Sequence, residues 1–137
     1  MVVNQMTSLD KSVIQQRFAK ARETYTLQAV AQQQICEHLA QLMQQFCPEQ
    51  LPRIFEIGCG SGNLSHLLMQ NLEIKHVFLN DLYLEVQQHF QAKENLEWLI
   101  GDVEQLDFPQ SLDLIASSSA LQWVGDIDSV FKKSAAA

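Results

Sequence analysis

Short apolar blocks alternate with helical segments after Pro52, and this alternation limits the possible folds more than any other feature of the chain. Four blocks are predicted to be strands, at residues 53–57, 76–80, 96–100 and 112–116. Nearly continuous apolar runs are typical of strands that are buried on both faces. The segments between them predict helices at residues 63–72 and 84–92 and a short turn near 103–106. This order of elements predicts a doubly wound α/β fold with a parallel sheet and right-handed crossovers.

The region before Pro48 predicts a helix from about residue 9 to residue 46. Apolar residues recur there at steps of three and four and form one predicted stripe: Leu27, Val30, Ala31, Ile35, Leu39, Leu42, Met43 and Phe46. The β-branched residues Thr24 and Thr26 predict a break at residues 21–26. We divide the chain into an N-terminal helical lid or cap region (1–50), an α/β region (51–133) and a tail that forms no element (134–137).

Composition and charge limit the partners of the chain. Its 137 residues suffice for one domain, and 47% hydrophobic residues are typical of a globular protein. No apolar run approaches the ~20 residues that cross a bilayer, and residues 1–10 lack the layout of a signal peptide, so we expect a cytoplasmic protein without a membrane partner. The formal charge of −7 argues against a nucleic-acid partner. We interpret the basic cluster of Lys11, Arg17, Lys20 and Arg22 as a solvated helix face.

The number of strands is small for this architecture. A doubly wound domain usually carries more than four, and one helical stretch follows the fourth predicted strand. No segment after Lys133 has the pattern of a further strand. We therefore expect only the first four strands of the sheet, and a fourth strand that presents an exposed apolar edge.

A glycine-rich segment joins the first predicted strand to the next helix. It contains Gly58, Cys59, Gly60 and Gly62 in the order G-x-G-x-G. Glycines are needed where the backbone turns tightly and approaches a ligand without an intervening β-carbon. The start of the following helix favours a carboxylate or a phosphate. The segment therefore predicts a ligand-binding loop, with an empty structural turn as the alternative.

Two cofactors compete for this loop. A dinucleotide site prefers G-x-G-x-x-G, which differs from the spacing in this chain. Glu56 precedes the loop, and an acidic residue there would repel a pyrophosphate. An ammonium group suits the same position, and the methionine part of S-adenosylmethionine carries one and has no phosphate. The loop therefore favours S-adenosylmethionine, and a nicotinamide oxidoreductase remains a more distant alternative.

Acidic residues follow the second and third predicted strands. Asp81 lies about 20 residues after the glycine loop, where a carboxylate can accept hydrogen bonds from both ribose hydroxyls. Asn80 is a weaker candidate for the same role, and a helix N-cap is the alternative for either residue. Asp102 follows the third strand and is a candidate to accept a hydrogen bond from the adenine amino group. All these positions lie at the carboxyl ends of parallel strands, where ligands bind in open α/β sheets.

Taken together, these residues resemble the class I methyltransferase family, over about residues 53–124. The resemblance implies a Rossmann-like fold and S-adenosylmethionine as cofactor. It implies contacts to the methionine part from Glu56, Gly58 and Gly60, to the ribose from Asp81, and to the adenine from Asp102. The predicted cofactor-binding set also includes neighbouring positions: Cys59, Gly62, Asn80, Leu82, Val103 and Ser118.

The flanks are similar to one subfamily, the BioC-type malonyl-acyl-carrier-protein O-methyltransferases of biotin synthesis. Upstream, Tyr25 follows the segment 17–21, and downstream, the segment 113–123 closes on Leu-Gln-Trp. This resemblance implies methyl transfer to the free carboxylate of a malonyl group on an acyl carrier protein. Such a carboxylate is ionised near neutral pH, so the reaction needs no general base. No catalytic residue is assigned. Tyr25 is a candidate for a lid over the methyl-donor pocket, with a tyrosine that packs between helices as the alternative. Trp123 is interpreted as a core aromatic rather than an acceptor contact.

Two further interpretations stay open. One is a methyltransferase of the same fold with another small acceptor. The other is a truncated, non-catalytic fragment that binds S-adenosylmethionine. The cysteines and histidines lack the spacing of a zinc site, so we expect no metal centre.

Overall fold

The computed structural model of the protein describes residues 11–137. The predicted start of the first helix, near residue 9, lies outside the described residues. The chain divides into two compact units, one ending at Gln32 and one spanning Gln33–Ala137. The division falls inside helix α1 (Lys11–Phe46) and not at residue 50, because the last third of this helix packs in the core of the second unit.

Four parallel strands form one sheet in the order β3-β2-β1-β4. Their bounds are Arg53–Ile57 for β1, His76–Asp81 for β2, Leu96–Ile100 for β3 and Leu114–Ser117 for β4. Phe55 in β1 is aligned with Phe78 of β2 on one side and with Ile115 of β4 on the other. The predicted parallel α/β fold is confirmed, and β4 begins two residues later than expected. All four strands end at the same edge of the sheet, which positions the residues that follow them.

Burial differs between the inner and the outer strands. Four of the five residues of β1 and four of the six of β2 are buried, as continuous apolar runs predict. Most residues of β3 and β4 are only half-buried. The burial predicted for all four strands is therefore wrong for β3 and β4, which lie at the edges of the sheet and have a neighbouring strand on one side alone.

Helix α1 is continuous, and the break predicted at residues 21–26 is wrong. Thr24 and Thr26 donate their hydroxyl protons to the carbonyl oxygens of Lys20 and Arg22, at 3.0 and 2.9 Å. Each threonine thus satisfies its hydroxyl within the helix, four residues back along the chain.

The buried face of α1 is narrower than the predicted stripe. It consists of Cys36, Ala40 and Met43, with Leu39 partly buried beside them. Most members of the predicted stripe are exposed, among them Leu27, Val30, Ile35, Leu42 and Phe46. Met43 and Leu39 are the members of the predicted stripe that pack in the core, together with Cys36 and Ala40, which the stripe did not include.

The two crossover segments after β1 and β2 differ in regularity. Helix α2 spans Asn63–Asn71, close to its predicted bounds. The segment predicted as a helix at 84–92 is a shorter 3-10 helix, Leu84–His89. Val86 and Phe90 of that segment still pack against side chains of β2 and β3, in a cluster that includes Trp98.

The C-terminal segment forms helix α3 (Ile127–Ala136), so the expectation that residues 134–137 form no element is wrong. Asp126 caps the start of α3 by accepting the backbone N–H of Ser129 at 3.1 Å. Val130 anchors the helix in the core and is 1% exposed. Alanine has the highest helix propensity but adds nothing to an apolar periodicity, so the pattern of the last residues gave no signal.

Trp123 lies at the end of a 3-10 helix, Leu121–Trp123, and its side chain is 85% exposed. The interpretation of Trp123 as a core aromatic is therefore wrong. Leu121 and Val124, on either side of it, pack against the core instead. Among residues 11–137, no helix is both long and apolar enough to span a membrane.

Candidate functional site

The glycine loop, defined as residues 58–62, connects β1 to α2 at the carboxyl edge of the sheet. Gly58, Gly60 and Gly62 have left-handed φ angles of 68°, 55° and 88°. Residues other than glycine rarely adopt such φ angles, so the backbone conformation requires glycine at positions 58, 60 and 62. The predicted turn is confirmed.

The three glycines differ in the space that a β-carbon would have. A β-carbon at Gly58 would lie 2.3 Å from Cβ of Ala120, and one at Gly62 would lie 2.7 Å from Cζ of Phe90. At Gly60, by contrast, no atom of the described residues comes within 4 Å of the place that a β-carbon would take. The backbone of Gly60 therefore borders open space, which a ligand can enter to approach the loop.

Asp81, at the end of β2, is hydrogen-bonded to this open part of the loop. Its Oδ2 accepts the N–H of Gly60 at 2.9 Å, and its Oδ1 accepts the N–H of Tyr83 at 3.1 Å. The helix N-cap alternative is not observed, because the 3-10 helix begins after Tyr83. The structure thus brings together Gly60, predicted to contact the methionine part of the cofactor, and Asp81, predicted to contact its ribose.

Asn80 lies beside Asp81 but is 3% exposed. Its Oδ1 accepts the N–H of Gly58 at 3.3 Å, and its Nδ2 donates to the carbonyl oxygens of Leu99 and Gly101, at 2.8 and 3.1 Å. The amide is buried and bonded to backbone groups of two neighbouring segments. This arrangement does not fit the ribose contact predicted for Asn80.

Glu56 is also buried, with 2% of its surface exposed. Ser65 of α2 donates its hydroxyl proton to Oε2 of Glu56. The pKa of Glu56 is raised from 4.5 to about 7, mainly by burial. The Ser65 bond opposes this rise and the charge of Asp81 adds to it. The observed partner of this carboxyl is therefore a hydroxyl of the helix that follows the loop. The predicted contact of Glu56 to an ammonium group stays a prediction.

Cys59 lies within the loop and is 6% exposed. Burial, followed by the carboxylates of Glu56 and Asp81, raises the pKa of its thiol to about 12. A thiol of this pKa stays protonated near neutral pH and is a poor nucleophile. The backbone N–H of Cys59 donates to the carbonyl oxygen of Asn80 at 2.8 Å, so this residue contributes to the shape of the loop.

Asp102 begins the turn after β3, on the same edge of the sheet. Its side chain is exposed, and its Oδ1 accepts the N–H of Glu104 at 2.9 Å. Gly101, just before it, has a φ of 141°. Val103 is 7% exposed and packs in the core, so it can offer a ligand only its backbone.

Sequence reasoning missed Lys133, which stabilises this turn from helix α3. Its Nζ donates to the carbonyl oxygens of Val103, Glu104 and Leu106, at 2.7, 3.0 and 2.9 Å. The ammonium also lies 4.8 Å from the centre of the Phe108 ring. A lysine near a helix C-terminus is a general signal for contacts to carbonyl groups, but it does not reveal that those groups lie in another segment.

The remaining predicted residues are less closely connected to the loop. Ser118 follows β4, and its Oγ lies 3.4 Å from Sγ of Cys36. Leu82 is 56% exposed next to Asp81. Tyr25 is 74% exposed and lies in the compact unit that ends at Gln32, so its role as a lid stays a prediction. Ser65 was also missed, since a serine in a helix carries no sign of a buried carboxylate partner.

The site thus combines the open glycine backbone after β1 with a carboxylate at the end of β2 and another in the turn after β3. Such a set can accept hydrogen bonds from hydroxyl and amino groups of a ligand and can donate backbone N–H groups. These donors and acceptors fit a nucleoside better than a pyrophosphate, which carboxylates repel. Within the described part of the chain, no group of three or more His, Cys, Asp or Glu residues is arranged to hold a metal ion.

Comparison with known proteins gives consistent matches. A family model described as a methyltransferase domain matches residues 55–136. A malonyl-[acyl-carrier protein] O-methyltransferase of Acinetobacter baylyi is 54% identical over 120 residues, which cover 88% of this chain and 47% of that protein. A protein of the same name from Bacteroides fragilis is 42% identical over 126 residues, covering 90% of this chain and 26% of that protein. The chain spans about half the length, or less, of these curated relatives.

Solved structures share the fold. An S-adenosylmethionine dependent methyltransferase from Mesorhizobium loti superposes with a TM-score of 0.60 at 25% identity. The match covers 69% of this chain and 45% of that one.

Proposed function

The chain belongs to the methyltransferase-domain family, whose cofactor is S-adenosylmethionine, and on this basis we propose that it methylates the free carboxylate of malonyl-[acyl-carrier protein]. The ester would serve biotin (pimeloyl) synthesis. The observation that carries the cofactor part is the open backbone of Gly60, held by Asp81 at the edge of the sheet. The acceptor part is supported by the 54% identity to a relative of that name.

Different residues at the carboxyl edge of the sheet bind different parts of the cofactor. The backbone of the glycine loop lies next to the methionine part, Asp81 accepts bonds from the ribose hydroxyls, and Asp102 accepts one from the adenine amino group. When bound, S-adenosylmethionine supplies a methyl group on a sulfonium ion. The burial of Glu56 favours support of the loop through Ser65 over a direct contact with the ammonium group.

The acceptor needs little chemical help from the protein. A malonyl carboxylate titrates near 4 and is a nucleophile at neutral pH without a general base. The residues around it have to align it and exclude water, which is worth up to about 7–11 kcal/mol in well-oriented systems. The lack of an assigned catalytic base is therefore consistent with this acceptor.

Calorimetric titration with S-adenosylhomocysteine tests the cofactor part. We expect saturable binding by the wild-type chain and an affinity at least about tenfold lower in Asp81→Ala, which loses hydrogen bonds to the ribose and to Gly60. Glu94→Ala is the matched control, because it removes an exposed carboxylate just before β3, at the opposite edge. A folded wild-type chain that does not bind would refute the cofactor site.

Transfer of labelled methyl groups tests the acceptor part. Malonyl-acyl carrier protein should become labelled, whereas acetyl-acyl carrier protein, which lacks the free carboxylate, should not. Label on neither, from a chain that binds the cofactor, would favour a second candidate: a non-catalytic S-adenosylmethionine-binding segment.

A further inference from the structure

We propose that Asn80 is a positioning residue, whose side chain fixes the distance between the glycine loop and the turn after β3. These two segments flank the ligand in the cofactor site proposed above, and the inference rests on that site. Asn80 does not contact the ligand; it acts through the two backbone segments that do.

The position of β2 makes this connection possible. β2 lies between β1 and β3, so a side chain near its carboxyl end can reach the ends of both neighbours. The bond of Asn80 Oδ1 to the N–H of Gly58 reaches the loop after β1. The bonds of Nδ2 to Leu99 and Gly101 reach the end of β3, directly before Asp102.

The chemistry of the three partners selects an asparagine. One partner is a donor and two are acceptors, and a carboxamide offers one acceptor oxygen and two N–H donors. The same partners define the orientation of the amide, since a flipped amide would place its oxygen against two carbonyl oxygens. Aspartate has the same shape but no donor when ionised, and leucine has neither donor nor acceptor.

Adjacent residues of β2 thus have separate tasks. Asn80 is 3% exposed and bonded to the backbone, whereas Asp81 is half-buried and lies next to the open space at Gly60. Side chains alternate along a strand, so two neighbours point to opposite sides. One residue sets the width of the site and the other remains available to the ligand.

Asn80→Asp tests this inference, with binding of S-adenosylhomocysteine as the readout. The variant keeps the acceptor for Gly58 and loses both donors. At about pH 8.5, where the introduced carboxyl is ionised, we expect an affinity about tenfold to a hundredfold below wild type. Burial at this position raises the pKa of the introduced carboxyl above its ordinary value near 4, so a larger share of it is protonated at about pH 5.5. The protonated carboxyl regains one donor, and the ratio to wild type should narrow.

Other titratable groups are present on the adjoining segments, and the wild-type profile accounts for them. They are Glu56 and Cys59 on β1 and its loop, Asp81 on β2, and Asp102 after β3. Each affinity is therefore compared with wild type at the same pH. Asn71→Asp, on the exposed end of α2, is the control for an added charge and should follow wild type at both pH values.

Amide proton exchange in the wild-type protein gives a test that does not depend on how well the variant folds. The side-chain amide protons of Asn80 should exchange with solvent at least about tenfold more slowly than those of exposed Asn71. Equal exchange rates would overturn the inference, as would wild-type affinity of Asn80→Asp at the higher pH. Absence of binding by the wild type would refute the proposed cofactor site itself, which separates the two failures.

Discussion

At Glu56 a carboxyl group lies in the core of the protein, bonded to the hydroxyl of Ser65. A negative charge is costly in that environment, so burial is the largest cause of the raised pKa of Glu56. The folded protein therefore binds this proton more tightly than the unfolded chain does. A group of this kind links the stability of the fold to pH in a range where most carboxylates do not titrate.

The Glu56→Gln variant should remove this link. Because the pKa is raised from 4.5 to about 7, the stabilising contribution is fully present below pH 4.5 and is lost as the pH rises through about 7. The loss amounts to about 3 kcal/mol at most. Urea denaturation should show wild type losing stability across this window, while Glu56→Gln changes less and is the more stable protein at about pH 8.

Glu94→Gln, at an exposed carboxylate, provides the comparison and should retain the wild-type slope. Parallel slopes for wild type and Glu56→Gln would contradict the assignment of the raised pKa to this group.

Residue types in the site were more predictable than their contacts. The glycine spacing predicted the loop, and the positions of Asp81 and Asp102 after strands placed them at the correct edge. The burial of Asn80 was not predictable, because it depends on the backbone of two segments distant in the sequence. The partner of Glu56 was missed for a different reason: Ser65 lies in the following helix, and a serine there carries no sign of a buried carboxylate partner.

Among the elements, the turn 102–106 and helix α3 stabilise each other through two charged side chains. Lys133 of α3 donates to three carbonyl oxygens of the turn. In the other direction, the carboxylate of Glu104 accepts the N–H groups of Gly125 and Asp126, at 3.2 and 2.6 Å. The turn that carries Asp102 is thus ordered by contacts from the segment after β4.

Lys133→Met should loosen this turn. Loss of the charged donors leaves three carbonyl groups with fewer partners, and we expect the free energy of unfolding to fall by about 2–3 kcal/mol. The amides of Gln105 and Leu106, which donate to the carbonyl oxygen of Asp102, should exchange faster. Lys132→Met is the control at an exposed neighbour, and a similar effect of both variants would speak against the specific role of Lys133.

Strand positions were predictable because apolar runs are a local property of the sequence. The first and third strands agree with their predicted bounds, and the second is longer by one residue. Helix α3 and the exposure of Trp123 were not predictable from apolar patterns. The end of α3 consists of alanines, and the position of Trp123 follows from which of its neighbours reach the core.

On the scale of the whole molecule, helix α1 belongs to two compact units and differs in burial along its length. Every residue from 21 to 32 is exposed, whereas Cys36, Ala40 and Met43 are buried. An isolated helix is marginal in water, so packing has to supply most of the stability. The second part of α1 has such packing within its own unit.

Backbone hydrogen exchange should therefore be slow in one part of α1 and fast in the other. Backbone amides of residues 36–46 should open with nearly the free energy of global unfolding, and those of residues 21–32 should exchange at least about tenfold faster. Mass spectrometry of overlapping peptides can locate the change near Gln33. Uniform protection along the helix would show that it behaves as one cooperative element.

The close approach of Gly58 to Ala120 couples two positions that are far apart in the sequence. A β-carbon at Gly58 would meet Cβ of Ala120 at 2.3 Å, and Gly58 has no side chain to reduce further. A side chain at position 58 would therefore displace the segment after β4. A lineage that gains a side chain at position 58 has to move the backbone near position 120 as well, so the loop cannot change independently of the segment it touches.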